Sequence, residues 1–189
     1  MTPPTTPAFS AEQQAWFERA CARINPQRLQ QLLFSIVDIH SPTGAARAAS
    51  EFMAQHLAEA GLKARYQPMT ETSGNVLAEL RGSGGGAALM LYAPIDTHLD
   101  LTEAESEWTG ARGEADMQPR AQSLGDWVFG LGASNPKAMV ATLTEIATAL
   151  IEAEVPLVGD LLVGMADGGM PVDISARNHG GMSNGVLHL

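Results

Sequence analysis

Apolar residues recur along the chain with two periods. Leu29, Leu32, Leu33, Ile36 and Val37 fall at helical spacing and predict a helix with one buried stripe. Asn25-Pro26 before them reads as an N-cap followed by proline at the first helical position. A helix over residues 11–23 precedes it, and the run His40-Ser41-Pro42-Thr43-Gly44 breaks the pattern. Ala49, Phe52, Met53, Leu57 and Ala60 predict a further helix over residues 45–60, closed by Gly61 at C′. The clearest amphipathic stripe is Met139, Val140, Leu143, Ile146, Ala147, Leu150 and Ile151, with Asn135-Pro136 again reading as N-cap and first residue. Lys137 reads there as a solvated helix residue.

Shorter apolar runs predict strands at residues 63–67, 75–81, 87–93, 127–129 and 160–166. Strands alternating with amphipathic helices predict an α/β fold, a mixed sheet sandwiched by helices. Residues 101–124 are polar and read as a long surface loop. Residues 1–10 read as a flexible Thr/Pro-rich arm, and residues 11–189 as part of one domain. Residues 183–189 resemble the first turns of a helix. A domain seldom stops there, so the chain is expected to be a fragment or the amino-terminal product of a processed longer chain.

Composition narrows the partners. The 189 residues carry a net charge of −10, which argues against nucleic acid and anionic membrane. The lone Cys21 forms no internal disulfide and reads as a half-buried structural thiol. With neither a signal-peptide pattern at the start nor a spanning apolar run, the expected location is cytoplasmic.

Candidate chemistry gathers after the strand at 87–93. Asp96, His98 and Asp100 follow its carboxyl end, where open α/β sheets collect ligands and catalytic groups. Residues two apart on extended chain share a side, so Asp96 and His98 can form a general-base pair. The plain alternative is two polar loop residues. Gly181-Met182-Ser183-Asn184-Gly185 fits Gly-x-Ser-x-Gly, with His179 nearby; a strand should precede a serine nucleophile, and residues 176–180 are not strand-like. A glycine loop with Ser183 as helix cap is the other reading. His56 and His188 read as structural.

The order of motifs resembles the amino-terminal half of the M20 metallopeptidase and deacylase family, which includes acetylornithine deacetylase and succinyl-diaminopimelate desuccinylase. Ser41-Pro42-Thr43-Gly44 is similar to the family's Ser-Pro-Ser-Gly, and Asn75-Val76-Leu77-Ala78 to its Asn-hydrophobic-x-Ala. Residues 89–97 resemble the strand that carries His-x-Asp-Thr, and Trp108 falls where the family often has tryptophan. Gly130-Leu131-Gly132-Ala133-Ser134-Asn135-Pro136-Lys137 resembles Gly-Arg-Gly-Ala-x-Asp-Met-Lys, and Ala166-Asp167-Gly168-Gly169 falls on x-Asp-Glu-Glu. The resemblance implies an M20-like catalytic domain lacking its later portion and its lid.

By this resemblance, the family's metal positions hold Pro94, Asn135, Gly168 and Gly169. None offers an anionic or imidazole ligand. No cofactor is therefore expected, with zinc as the alternative. Asp96 matches the aspartate that orients the lost histidine. His98-Leu99-Asp100 could be a displaced copy of the motif, but four residues of extended chain move it by about 13 Å. Ser134 and neighbouring N–H groups at a helix start suit a carboxylate or oxyanion. The implied function is a divergent hydrolase of amide or peptide C–N bonds, using Asp96, His98, Ser134 and Asn135, with Ser183 and His179 behind them. A catalytically inactive binding or scaffold subunit, and a metal-dependent deacylase with relocated ligands, are the alternatives. Partners would be a small amide or peptide, the carboxyl-terminal remainder or a second chain, and a second copy.

Overall fold

The computed structural model describes residues 9–97, 107 and 113–169. The helices are α1 (Ala11–Cys21), α2 (Pro26–Val37), α3 (Arg47–Glu59) and α4 (Lys137–Glu152). The strands are β1 (Lys63–Pro68), β2 (Gly74–Leu80), β3 (Leu89–Pro94), β4 (Gln122–Leu124), β5 (Trp127–Phe129) and β6 (Leu161–Ala166). Within the segment read as a loop lie a 3₁₀ turn, Ala115–Met117, and strand β4.

Local chemistry sets the helix ends. Asn25 Oδ1 accepts from the N–H groups of Gln27 and Arg28 at 3.0 and 3.1 Å, so the cap read from the sequence is present. Gly61 follows α3 with φ +100°, a conformation that favours glycine. Ser10 and Gln13 form a reciprocal capping box on α1. The reading fails at α4. Its first residue is Lys137, Pro136 precedes it after a cis Asn135–Pro136 peptide, and no side chain caps it. Asn135 is therefore not an N-cap.

A four-stranded mixed sheet runs in the order β1-β2-β6-β3, and β4-β5 form a separate hairpin. β2 is antiparallel to β1 and β6, while β3 runs parallel to β6. Helices flank the sheet. Registers align Val76 with Met165, Ala78 with Val163 and Ala93 with Met165. All of these are fully buried, together with Ile36 and Val37 of α2, Met53 and Leu57 of α3, and Val140 and Ala147 of α4. One core thus joins one sheet face to α2, α3 and α4.

Polar residues tie the layers together. Glu145, nearly buried on α4, accepts from Arg28 Nε and from the Asn25 N–H at 2.8 and 2.6 Å. The Glu145 bond, followed by one from Glu152, raises the pKa of Arg28, and Glu145 pins the start of α2 to α4. Thr144 and Thr148 are buried because each hydroxyl donates to a carbonyl one turn back, at 2.8 and 2.9 Å.

Three sequence expectations are corrected. Lys137 is not solvated: it is fully buried, and its Nζ donates to the Ile39 carbonyl at 2.7 Å. Cys21 is exposed, because α1 buries none of its residues. Met139 is exposed, although the stripe placed it on the buried face. The helical start read at 183–189 lies outside the described residues.

Candidate functional site

The parallel strands β3 and β6 end side by side, and the loops beyond them meet the segment between α2 and α3. Thr97 is joined by backbone bonds to both Ser41 and Thr43, its N–H donating to Ser41 O at 2.8 Å and its carbonyl accepting from Thr43 N–H at 3.0 Å. The Ser41 hydroxyl donates to the Ile95 carbonyl at 3.1 Å. This short pairing brings Thr43 over the carboxyl end of β3.

Asp96 lies at the centre and is 4% exposed. Its Oδ2 accepts from the Thr43 hydroxyl at 2.5 Å, and the Gly169 N–H reaches the same carboxylate at 3.1 Å. Burial raises its pKa above the usual carboxylate value. The Thr43 hydrogen bond opposes this, the charge of Asp167 adds to it, and the Gly169 N–H opposes it further. A buried carboxyl that holds a proton more tightly than usual is suited to acid–base work or to anchoring a donor.

Asp167, 2% exposed, directly follows β6 and has a different task. It accepts from the N–H groups of Gly44 and Ala46 at 2.9 and 3.2 Å and from the Ser73 hydroxyl at 2.6 Å. Helix α3 has no side-chain cap of its own. A carboxylate from the neighbouring strand supplies the negative charge its start favours. Asn75 Oδ1, fully buried on β2, accepts the Asp167 N–H at 3.3 Å.

Two of the positions that the resemblance assigns to metal ligands, Pro94 and Gly169, lie against each other. A β-carbon built on Gly169 would stand 3.3 Å from Pro94 Cβ and 3.2 Å from Asp96 Oδ1, tighter than ordinary contact. Gly168 has φ +97°, a conformation costly for any residue with a β-carbon. The Gly169 N–H occupies the Asp96 carboxylate, where the resemblance places an imidazole. Ser134 and Asn135 are exposed beside the start of α4. His98, Ser183 and His179 lie outside the described residues, so the pairs Asp96–His98 and Ser183–His179 do too.

No protein-family profile matches the chain. Solved structures do. A tripeptidase from Staphylococcus aureus superposes with TM-score 0.57 at 17% identity, covering 77% of this chain and 37% of that one. LapB from Legionella pneumophila gives 0.63 at 12%, over 99% and 44%. Aminoacylhistidine dipeptidase from Vibrio alginolyticus gives 0.51 at 21%, over 93% and 32%. The chain shares its fold, a mixed sheet flanked by helices, with these structures. This chain spans less than half the length of each of these structures.

The comparison overturns the expectation that no cofactor is needed. The neighbours are zinc-dependent peptidases of the M20 type, and glutaminyl cyclases, also metal-dependent, superpose as well. Yet the described residues do not fit a metal. Among them, no group of three or more His, Cys, Asp or Glu side chains converges. The oxygens of Asp96 and Asp167 are already engaged by protein donors, and Gly169 lies against Pro94 and the Asp96 carboxylate. Among the described residues, no helix is long and apolar enough to cross a membrane.

Proposed function

We propose that this chain forms part of a hydrolase that cleaves amide or peptide C–N bonds in small substrates. The observation that supports it most is the environment of Asp96. A buried carboxyl of raised pKa is held by hydrogen bonds from Thr43 and Gly169 at the ends of β3 and β6. That end of a parallel pair is where α/β enzymes place their chemistry, and the fold is shared with structures named tripeptidase, aminopeptidase and dipeptidase. In this reading the described residues build the cleft floor, Asp96 anchors it, and the exposed Ser134 and Asn135 face the substrate. A second reading, a non-catalytic binding or scaffold subunit, is favoured by the packing of Pro94 on Gly169.

The test uses protein purified from its native source with any bound polypeptide. Dipeptides, tripeptides and N-acetyl or N-succinyl amino acids are assayed for amine release with added Zn²⁺, Co²⁺ or Mn²⁺. The hydrolase reading expects release from at least one substrate and at least a tenfold loss in Asp96→Ala. No release from any substrate by folded protein under every metal condition supports the scaffold reading.

A further inference from the structure

Lys137 is fully buried, yet it takes no part in the chemistry proposed for Asp96. A lysine head held away from water is costly unless it finds a partner. Here Nζ donates to the Ile39 carbonyl at 2.7 Å. The backbone N–H of the same residue donates to the Gly132 carbonyl at 2.9 Å. The stem runs along that glycine too. A β-carbon built on Gly132 would stand 3.3 Å from Lys137 Cδ and 2.7 Å from Thr97 Cγ2. Gly132, at φ +80°, is thus wedged between the lysine stem and Thr97, the residue after Asp96.

These contacts converge on the stretch that carries Thr43. α2 ends at Val37 and α3 starts at Arg47, so this stretch belongs to no helix or strand and depends on outside anchors. At its downstream end, Asp167 accepts from the Gly44 and Ala46 N–H groups. In its middle, Thr97 is bonded through its backbone to Ser41 and Thr43, and the Ser41 hydroxyl donates to the Ile95 carbonyl. At its upstream end, Lys137 grips the Ile39 carbonyl from α4. Between these anchors the Thr43 hydroxyl donates to Asp96 Oδ2. The lysine therefore bears on two of the three anchors, directly at Ile39 and through Gly132 at Thr97.

We propose that Lys137 is a positioning residue of the Asp96 site. By holding the Ile39 carbonyl and the Gly132 turn, it sets the path of residues 39–43 and with it the hydrogen bond from Thr43 to Asp96. A methionine would fill much the same volume but could not donate to the carbonyl. The lysine touches neither Asp96 nor Thr43 through a hydrogen bond of its own, so it acts through the chain it holds. The word positioning rests on the hydrolase reading, in which Asp96 is a working group. The mechanical link from Lys137 to the Thr43–Asp96 pair stands apart from it.

The test compares wild type with Lys137→Met in the full chain, purified with any bound polypeptide. Lys137→Gln, whose amide stops one bond short of the Ile39 carbonyl, replaces it if the methionine variant does not fold. Native-state hydrogen exchange follows the Thr43 and Thr97 amides against the amides of β2 and β6. The variant is expected to speed Thr43 and Thr97 at least about tenfold beyond any change shared with those strands. The second readout is the ¹³C resonance of the Asp96 carboxyl, assigned by its loss in Asp96→Asn. Lys137→Met is expected to move it toward its position in Thr43→Val, and to add nothing in a Thr43→Val background. Exchange that rises equally at all amides, or an Asp96 resonance that Lys137→Met leaves in place, overturns the proposal. Neither readout requires hydrolysis. Cleavage of substrate with unresponsive amides and resonance would sink the link alone, and a responsive site that cleaves nothing would sink the hydrolase reading alone.

Discussion

Replacing Lys137 with methionine removes the largest fully buried side chain that carries a charge. Burial pushes the amine's pKa down from 10.5 to about 8, against a small opposing effect of Asp38. A depressed pKa means the unfolded chain binds more protons, so stability is present above the unfolded value and lost as pH falls through the folded one. The window is therefore pH 8 to 10.5. At neutral pH the penalty is about 3 kcal/mol, from roughly 1.4 kcal/mol per pKa unit. Between about pH 7.5 and 9.5 the wild type should gain about 2 kcal/mol, and Lys137→Met should be flat. Lys137→Met also strips the Ile39 carbonyl of its donor, at a cost of about 1–3 kcal/mol. The two effects nearly cancel at pH 7, so the slope decides and a single stability value does not. Urea denaturation at intervals across that range measures it. Parallel curves for the two proteins would refute a buried, depressed amine.

Other substitutions probe the remaining ties. Glu145→Ala leaves Arg28 and the Asn25 N–H without their shared acceptor and should cost about 3 kcal/mol in chemical denaturation. Glu152→Ala, at the exposed end of the same network, should cost less than about 1 kcal/mol. Gly159→Ala would place a methyl 1.9 Å from the Ala87 carbonyl oxygen and should cost about 3 kcal/mol in thermal unfolding. Gly84→Ala, with open space but φ +95°, should cost about 1 kcal/mol. Asp96 has a raised pKa, so its contribution is complete below the unfolded value and is lost as pH rises through the folded one. Asp96→Asn should flatten that acid-side decline in melts taken from pH 4 upward.

Stripe-based readings of α2 and α3 succeeded because caps and period agreed: Asn25 before one helix, Gly61 after the other. At α4 the pattern misled twice. A lysine at a helix start normally reaches water, but this stem runs inward until Nζ finds the Ile39 carbonyl. Asn-Pro resembles a cap, but the helix begins after it. Asp96 was legible because it follows an apolar run at a strand end. Thr43 lay within a quoted motif, yet it read only as a break, because its partner is 53 residues away. Asp167 gave no local signal of capping, since its donors come from Gly44, Ala46 and Ser73.

The central claim is that Asp96 and Asp167 are occupied by protein donors and form the scaffold of the site without gripping a metal. Metal content per chain, measured on wild type, Asp96→Asn and Asp167→Asn after purification with saturating Zn²⁺ and removal of excess, tests this directly. The account predicts the same stoichiometry in all three, with circular dichroism confirming that each is folded. A stoichiometric metal in the wild type that is lost in folded Asp96→Asn would contradict it.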